Sequence, residues 1–176
     1  SSLDKIRKTY KISSENSLFV FDCPRDKIWR NVHYNSYKSN RDLDKHRKEN
    51  ISKVFRYTYN TIYPKLEQEH NIKTLRIDRA EADDVIAIIK KHIRNKLPNR
   101  KIVIITNDND YLQLADKNTV LINLKMKILT EKSIGDPKDD LLSKIICGDK
   151  SDTITQVFKK CGPKTLEKFL KEPELL

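Results

Sequence analysis

The sequence predicts an α/β fold with a mainly parallel central sheet flanked by helices. Short unbroken apolar runs recur at Leu18–Phe21, Ile102–Ile105 and Val120–Ile122, as in strands buried on both faces. The stretches between them space their apolar residues as helices do. Strands that alternate with helices pair in parallel through right-handed crossovers, which brings every strand's carboxyl end to one edge.

The elements follow in order. Residues 3–11 (LDKIRKTYK) read as the end of a helix, and Leu18-Phe19-Val20-Phe21 is a strand closed by Asp22. Residues 24–50 are basic and aromatic without a clean period. Apolar residues at 51, 54, 55, 59, 62 and 66 predict a helix over 51–70, kinked or broken at Pro64. Thr74–Ile77 is a short strand. Residues 81–95 form the strongest helix: Val85, Ile86, Ile88, Ile89 and Ile93 make one apolar face, and Leu97-Pro98-Asn99 stops it. Ile102–Ile105 and Val120–Ile122 are further strands. Helices are expected over 137–147, with Cys147 buried, and over 163–171, which opens on Pro163.

Composition narrows the classes. A chain of 176 residues with 37% hydrophobic content can bury a sizeable core. Three Gly and six Pro exclude collagen-like and low-complexity chains. No run approaches the roughly 18 apolar residues of a membrane helix, and no signal-peptide pattern is present. Cys23, Cys147 and Cys161 match no disulfide or zinc spacing, which suits a reducing compartment. Thirty-six Lys+Arg against 25 Asp+Glu give a net charge of +11, the footprint of a polyanionic partner. A Lys-, Asn- and Ile-rich composition also follows from an AT-rich genome. The excess is uneven: residues 1–80 carry 18 basic and 10 acidic side chains.

The acids fall where the sheet edge is expected. Asp22 follows the first strand. Glu81, Asp83 and Asp84 open the strongest helix, and Asp108 and Asp110 follow Ile102–Ile105. A fourth pair, Asp149 and Asp152, lies in Gly148-Asp149-Lys150-Ser151-Asp152. Singly, each has an ordinary use: first-turn acids favour the helix dipole by roughly 0.3–1 kcal/mol, and Asp after a strand is turn chemistry. Together they repel. Like charges about 4 Å apart cost roughly 1 kcal/mol in water and about 4 kcal/mol at an effective dielectric of 20. Oxygen donors without His or Cys suit Mg2+ or Mn2+. Two such ions about 3.5–4 Å apart serve phosphodiester hydrolysis.

Motifs in order sharpen this. Phe21-Asp22 ends a strand, Tyr37-Lys38-Ser39-Asn40-Arg41 follows, then Glu81-Ala82-Asp83-Asp84, Thr106-Asn107-Asp108-Asn109-Asp110 and Gly148-Asp149-Lys150-Ser151-Asp152. From about residue 18 to 170 the chain resembles the 5′-nuclease family (flap endonucleases and 5′→3′ exonucleases) of the PIN-like superfamily, in its phage and bacterial form. The resemblance implies that Asp22, Glu81, Asp83 and Asp108 surround one Mg2+ with Asp84 beside it. Asp110, Asp149 and Asp152 would surround a second, and Mn2+ is expected to substitute. Lys38 and Arg41 would contact the scissile phosphate. Arg30, Lys45, Arg47, Lys48, Lys53 and Arg56 would contact the nucleic-acid backbone from in and around a helical arch at about 36–66. Tyr57, Tyr59 and Tyr63 would stack on unpaired bases or, for the last two, pack in the core. Gly162-Pro163-Lys164-Thr165, with Lys159 and Lys160, would belong to a helix–two-turn–helix.

The implied organisation is a nuclease core over 1–147 and a DNA-binding element over 148–176. The implied substrate is DNA with a 5′ flap or free 5′ end, or an RNA–DNA hybrid, cut inside the cell by a monomer in replication or repair. The family begins with an apolar strand ending in a further Asp, so a sequence opening within the first helix is expected either to be a fragment that lacks one carboxylate or to take that strand and carboxylate from another segment. Competing readings are a PIN-type ribonuclease, a structure-selective module that does not cut, and an acidic-pocket phosphatase or receiver-like domain.

Overall fold

The computed structural model describes residues 1–42, 45–133, 136–158, 160–172 and 174, with side chains outside that description at 41–50 and Pro163. The chain divides into two units, Ser1–Ile89 and Lys90–Leu176. Among the described residues no helix is long and apolar enough to cross a membrane.

In the first unit, helix α1 (Ser2–Tyr10) starts on a capping box between Ser1 and Asp4 and buries Ile6 completely. Strand β1 (Leu18–Phe21) pairs in parallel with β2 (Lys73–Arg76), Leu18 opposite Lys73 and Phe21 opposite Arg76. A parallel pair needs a long crossover. Here it contains α2 (Arg30–His33), α3 (Lys45–Tyr57) and α4 (Tyr63–Gln68). A π-helical turn at Thr58–Ile62 joins α3 to α4. It takes up the misfit that Pro64 imposes, since proline lacks an N–H and its ring crowds the preceding turn. The helix expected over 51–70 therefore persists past Pro64 through a widened turn. Tyr63 stacks on Phe21 at 3.6 Å between centroids, and Tyr59 lies 6.3 Å from the same ring. Both tyrosines thus pack against β1, while Tyr57 is exposed.

Helix α5 (Ala82–Lys96) runs from the first unit into the second. In the second unit β3 (Ile102–Ile105) pairs in parallel with β4 (Thr119–Ile122) across a crossover holding a 3-10 turn at Asn109–Leu114. Leu121 and Ile122 are fully buried. Asp116 ties this crossover to α5 through Lys90 Nζ at 2.7 Å and Arg94 Nη2 at 3.1 Å. Burial works to raise the Asp116 pKa, but Lys90 and the Asn118 N–H outweigh it and bring it to about 2. Helices α6 (Pro137–Cys147) and α7 (Pro163–Lys171) pack through Ile146, Cys161 and Leu166, with Leu142, Phe169 and Leu170 against them. Cys147 is half-buried rather than buried, because it sits on the last turn of α6 at the margin of that cluster.

The class is α/β with parallel strands, as the alternation predicts. Among the described residues the strands hydrogen-bond as two separate pairs, β1–β2 and β3–β4.

Candidate metal centre

The first acidic cluster is built at the start of α5. Asp22, just past β1, accepts from the Ala82 N–H at 2.7 Å and so fixes the turn that begins the helix. Glu81 N–H donates to Asp84 Oδ2 at 3.2 Å, and Asp84 N–H donates to Asp83 Oδ1 at 2.8 Å. These local bonds turn three side chains inward. One carboxylate oxygen from each of Glu81, Asp83 and Asp84 lies within 4.8 Å of the other two.

Cations and donors crowd this cluster. Glu81, only 4% exposed, accepts from Tyr37 Oη at 2.8 Å, Arg30 Nη1 at 2.7 Å and Lys38 Nζ at 2.6 Å. Arg30 also grips Asp84 in a two-pronged pair, both contacts 2.7 Å, and Trp29 Nε1 donates to the same carboxylate at 3.0 Å. The Arg30 guanidinium lies over the rings of Trp29 and Tyr37. The acids respond differently. Burial works to raise Asp84, but the bonds from Arg30 and Trp29 outweigh it and hold its pKa below the usual value. Burial pushes Asp83 up to about 6, with Glu81 adding to it against the Asp84 N–H and Arg30.

The second cluster lies in the second unit. Asp108 Oδ1 accepts from the Asp110 N–H at 2.9 Å and caps the 3-10 turn that carries Asp110. Asp149 follows Gly148, whose φ of +69° reverses the chain after α6. A Cβ there would meet Ile154 O and the Thr155 carbonyl carbon at 2.6 Å, so only glycine fits. Asp149 and Ile154 then exchange backbone hydrogen bonds at 2.8 and 2.9 Å. Asp149 Oδ1 accepts from Ser151 N–H at 2.8 Å and Ser151 Oγ at 2.6 Å. Oxygens of Asp110, Asp149 and Asp152 converge within 4.8 Å, and Asp152 is buried. Lys144 on α6 bridges two of them: Nζ is 2.6 Å from Asp110 Oδ1 and hydrogen-bonds Asp149 Oδ2. Burial works to raise Asp149, but Lys144 and Ser151 bring it to about 2. A cavity of about 150 Å³ adjoins this cluster, lined by Asn109, Asp110, Gln113, Lys132, Asp140 and Lys144 among others.

Two all-carboxylate triads without His or Cys are donor sets for hard divalent cations. The fold therefore brings Glu81, Asp83 and Asp84 together, and Asp110, Asp149 and Asp152. Asp22 and Asp108 join neither triad; each instead accepts a backbone N–H beside one. Arg30, expected on nucleic acid, is engaged with carboxylates, and so is Lys38. Lys53, Arg56, Lys160 and Lys164 are exposed, Lys164 in the first turn of α7. The side chains of Arg41, Lys45, Arg47 and Lys48, and all of Lys159, lie outside the described residues. Sequence reading missed Lys144. Its only signal is a lysine five residues ahead of Asp149, across a glycine turn.

Parallel strand pairs and two carboxylate triads suited to divalent cations define the chain as an α/β domain with two acidic clusters. It belongs to the 5′-3′ exonuclease family: the model of that family's N-terminal resolvase-like domain matches residues 1–138. It is 33% identical over 177 residues to a 5′-3′ exonuclease of Buchnera aphidicola subsp. Schizaphis graminum, covering 95% of this chain and 55% of that one. The chain thus spans about half the length of the curated relatives it matches. Among solved structures it shares the fold of the bacteriophage T5 5′-exonuclease with bound zinc (TM-score 0.80, 21% identity, 97% of this chain and 64% of that one). It is likewise similar to a T5 flap endonuclease in complex with DNA and metal ions (TM-score 0.77, 18% identity, 97% and 64%).

Proposed function

We propose that the protein is a structure-specific 5′-nuclease that hydrolyses phosphodiester bonds in DNA or RNA–DNA hybrids bearing a 5′ flap or free 5′ end, inside the cell, in replication or repair. The observation that carries the reading is the pair of carboxylate triads in a chain of this family. Glu81, Asp83 and Asp84, with Asp22 as a further donor, would hold one Mg2+. Asp110, Asp149 and Asp152 would hold a second. Bound Mg2+, or Mn2+ in its place, would activate water and offset charge on the phosphate oxygens.

The rest is work for this chain's own side chains. Asp22 and Asp108 hold the turns that aim the triads. Lys38 and Arg41 are assigned to the scissile phosphate. Lys38 reaches Glu81 and lies over the Tyr37 ring, so its ammonium is held beside the first triad. Lys53 and Arg56, with Lys45, Arg47 and Lys48, supply backbone contacts from the arch at about 36–66. The α6–α7 hairpin supplies a helix start at Gly162-Pro163-Lys164, where backbone N–H groups and Lys164 receive a duplex phosphate.

The test is cleavage of a labelled 5′-flap substrate with Mg2+, against Asp152→Asn and the same chain in EDTA. Flap cutting that the variant and chelation both abolish supports the reading. Flap binding without cutting under Mg2+ or Mn2+ refutes it in favour of a non-cleaving module.

A further inference from the structure

We infer that Lys144 is an exchangeable internal cation, which holds the Asp110 and Asp149 carboxylates while the second cluster lacks a metal and swings out when a divalent ion enters, so that it sets how tightly that cluster binds metal. The inference rests on the metal-nuclease reading and adds a residue that nothing in that reading employs.

Three features of the second unit carry it. The Lys144 ammonium contacts two of the three converging carboxylates. A divalent ion would draw on the same carboxylates, and two cations cannot share them without strong repulsion. The carboxylates do not depend on Lys144 for their aim. Asp149 is oriented by Ser151 N–H and Oγ, and Asp110 sits on a turn capped by Asp108. Lys144 is also free to leave: its side chain is 39% exposed, and a flexible four-carbon stem carries the ammonium to water.

The first cluster is built otherwise. Arg30 there is locked by two carboxylates and two rings, a fixture rather than an exchangeable ion. An internal competitor lowers apparent affinity by the fraction of molecules in which the cluster is open. If Lys144 closes about nine molecules in ten, removing it tightens metal binding about tenfold.

The experiment titrates Mn2+ calorimetrically into the protein and into K144M, with D152N identifying the isotherm of this cluster. K144M is expected to bind Mn2+ at least about tenfold more tightly there. A second measurement needs no variant. Acetylation of Lys144 by an N-hydroxysuccinimide ester, followed by peptide mass spectrometry, is expected to accelerate severalfold when Mn2+ saturates the protein, while exposed Lys171 stays constant. Equal or weaker Mn2+ binding by K144M overturns the exchange and leaves the metal reading standing. If K144M does not fold, a Lys144 acetylation rate that Mn2+ leaves unchanged does the same. No Mn2+ binding by either protein overturns both.

Discussion

Asp83→Asn should stabilise the metal-free protein and remove part of its response to metal. Burial pushes the Asp83 carboxyl from an ordinary 3.8 up to about 6. The sign follows from linkage. The unfolded chain releases this proton near pH 4, whereas the folded chain holds it until about pH 6. Stability is therefore lost as pH rises between those values and stays lost above them. At about 1.4 kcal/mol per pH unit the loss is bounded near 3 kcal/mol, and the water reaching a half-buried carboxyl reduces it to about 1–2 kcal/mol. Asparagine removes the charge and keeps the oxygen that accepts from the Asp84 N–H at 2.8 Å. In EDTA at pH 7.5 the variant should melt about 2–6 °C above the parent, and the gap should close near pH 3.5, where both forms are neutral. Saturating Mg2+ should raise the parent's Tm more than the variant's. A variant that melts at or below the parent in EDTA at pH 7.5 refutes the reasoning, because burial would then not be penalising the Asp83 charge.

Arg30→Met should destabilise by about 2–3 kcal/mol in urea unfolding. Breaking a buried ion pair costs about 3–5 kcal/mol, and an Arg30 side chain 27% exposed recovers part of that. The difference should shrink on acidification, since the stability that a depressed Asp84 contributes is present above pH 3.8 and lost as pH falls. Gly148→Ala should lower Tm by several degrees, as positive φ costs about 1–3 kcal/mol before the clash with Ile154 O is counted. It should also weaken Mn2+ binding at the second cluster on calorimetry, through displaced Asp149. DNA affinity should fall with salt at a slope of about −0.9 per duplex phosphate neutralised, and a flat response between 50 and 200 mM salt would remove the basic surface from the argument.

The fold was legible where a single local rule decides. Pro163 at the first position of α7 marks a helix start that sequence pattern reads directly, whereas the Asp136/Asp139 capping box ahead of α6 shows only in the structure. Pro64 interrupts the regular α-helix as expected, through a route a local rule omits: the turn before it widens. The pairing of strands was only half legible. Apolar runs show that a segment is a strand, but not how deeply it is buried, since Leu18, Phe19 and Ile105 are exposed, nor which neighbour it hydrogen-bonds, and the second crossover uses a 3-10 turn where a helix is usual.

The same asymmetry explains what was seen in the clusters and what was not. Acids one to three residues apart at a helix start are visible in sequence, because one turn of backbone presents them together. Their neutralising partners come from elsewhere: Arg30 meets Asp84 across 54 residues, and Lys38 meets Glu81 across 43. Even Lys144, five residues from Asp149, is hidden by the reversal at Gly148. Yet gathered carboxylates imply such partners, for a metal-free triad left without cations would carry several kcal/mol of repulsion. A divalent-ion centre that must fold before it meets its ion needs cations of its own, and the useful question for each is whether it stays. Arg30, pinned between rings and two carboxylates, is built to stay. Lys144, on a free stem over acids already oriented by Ser151 and Asp108, is built to go.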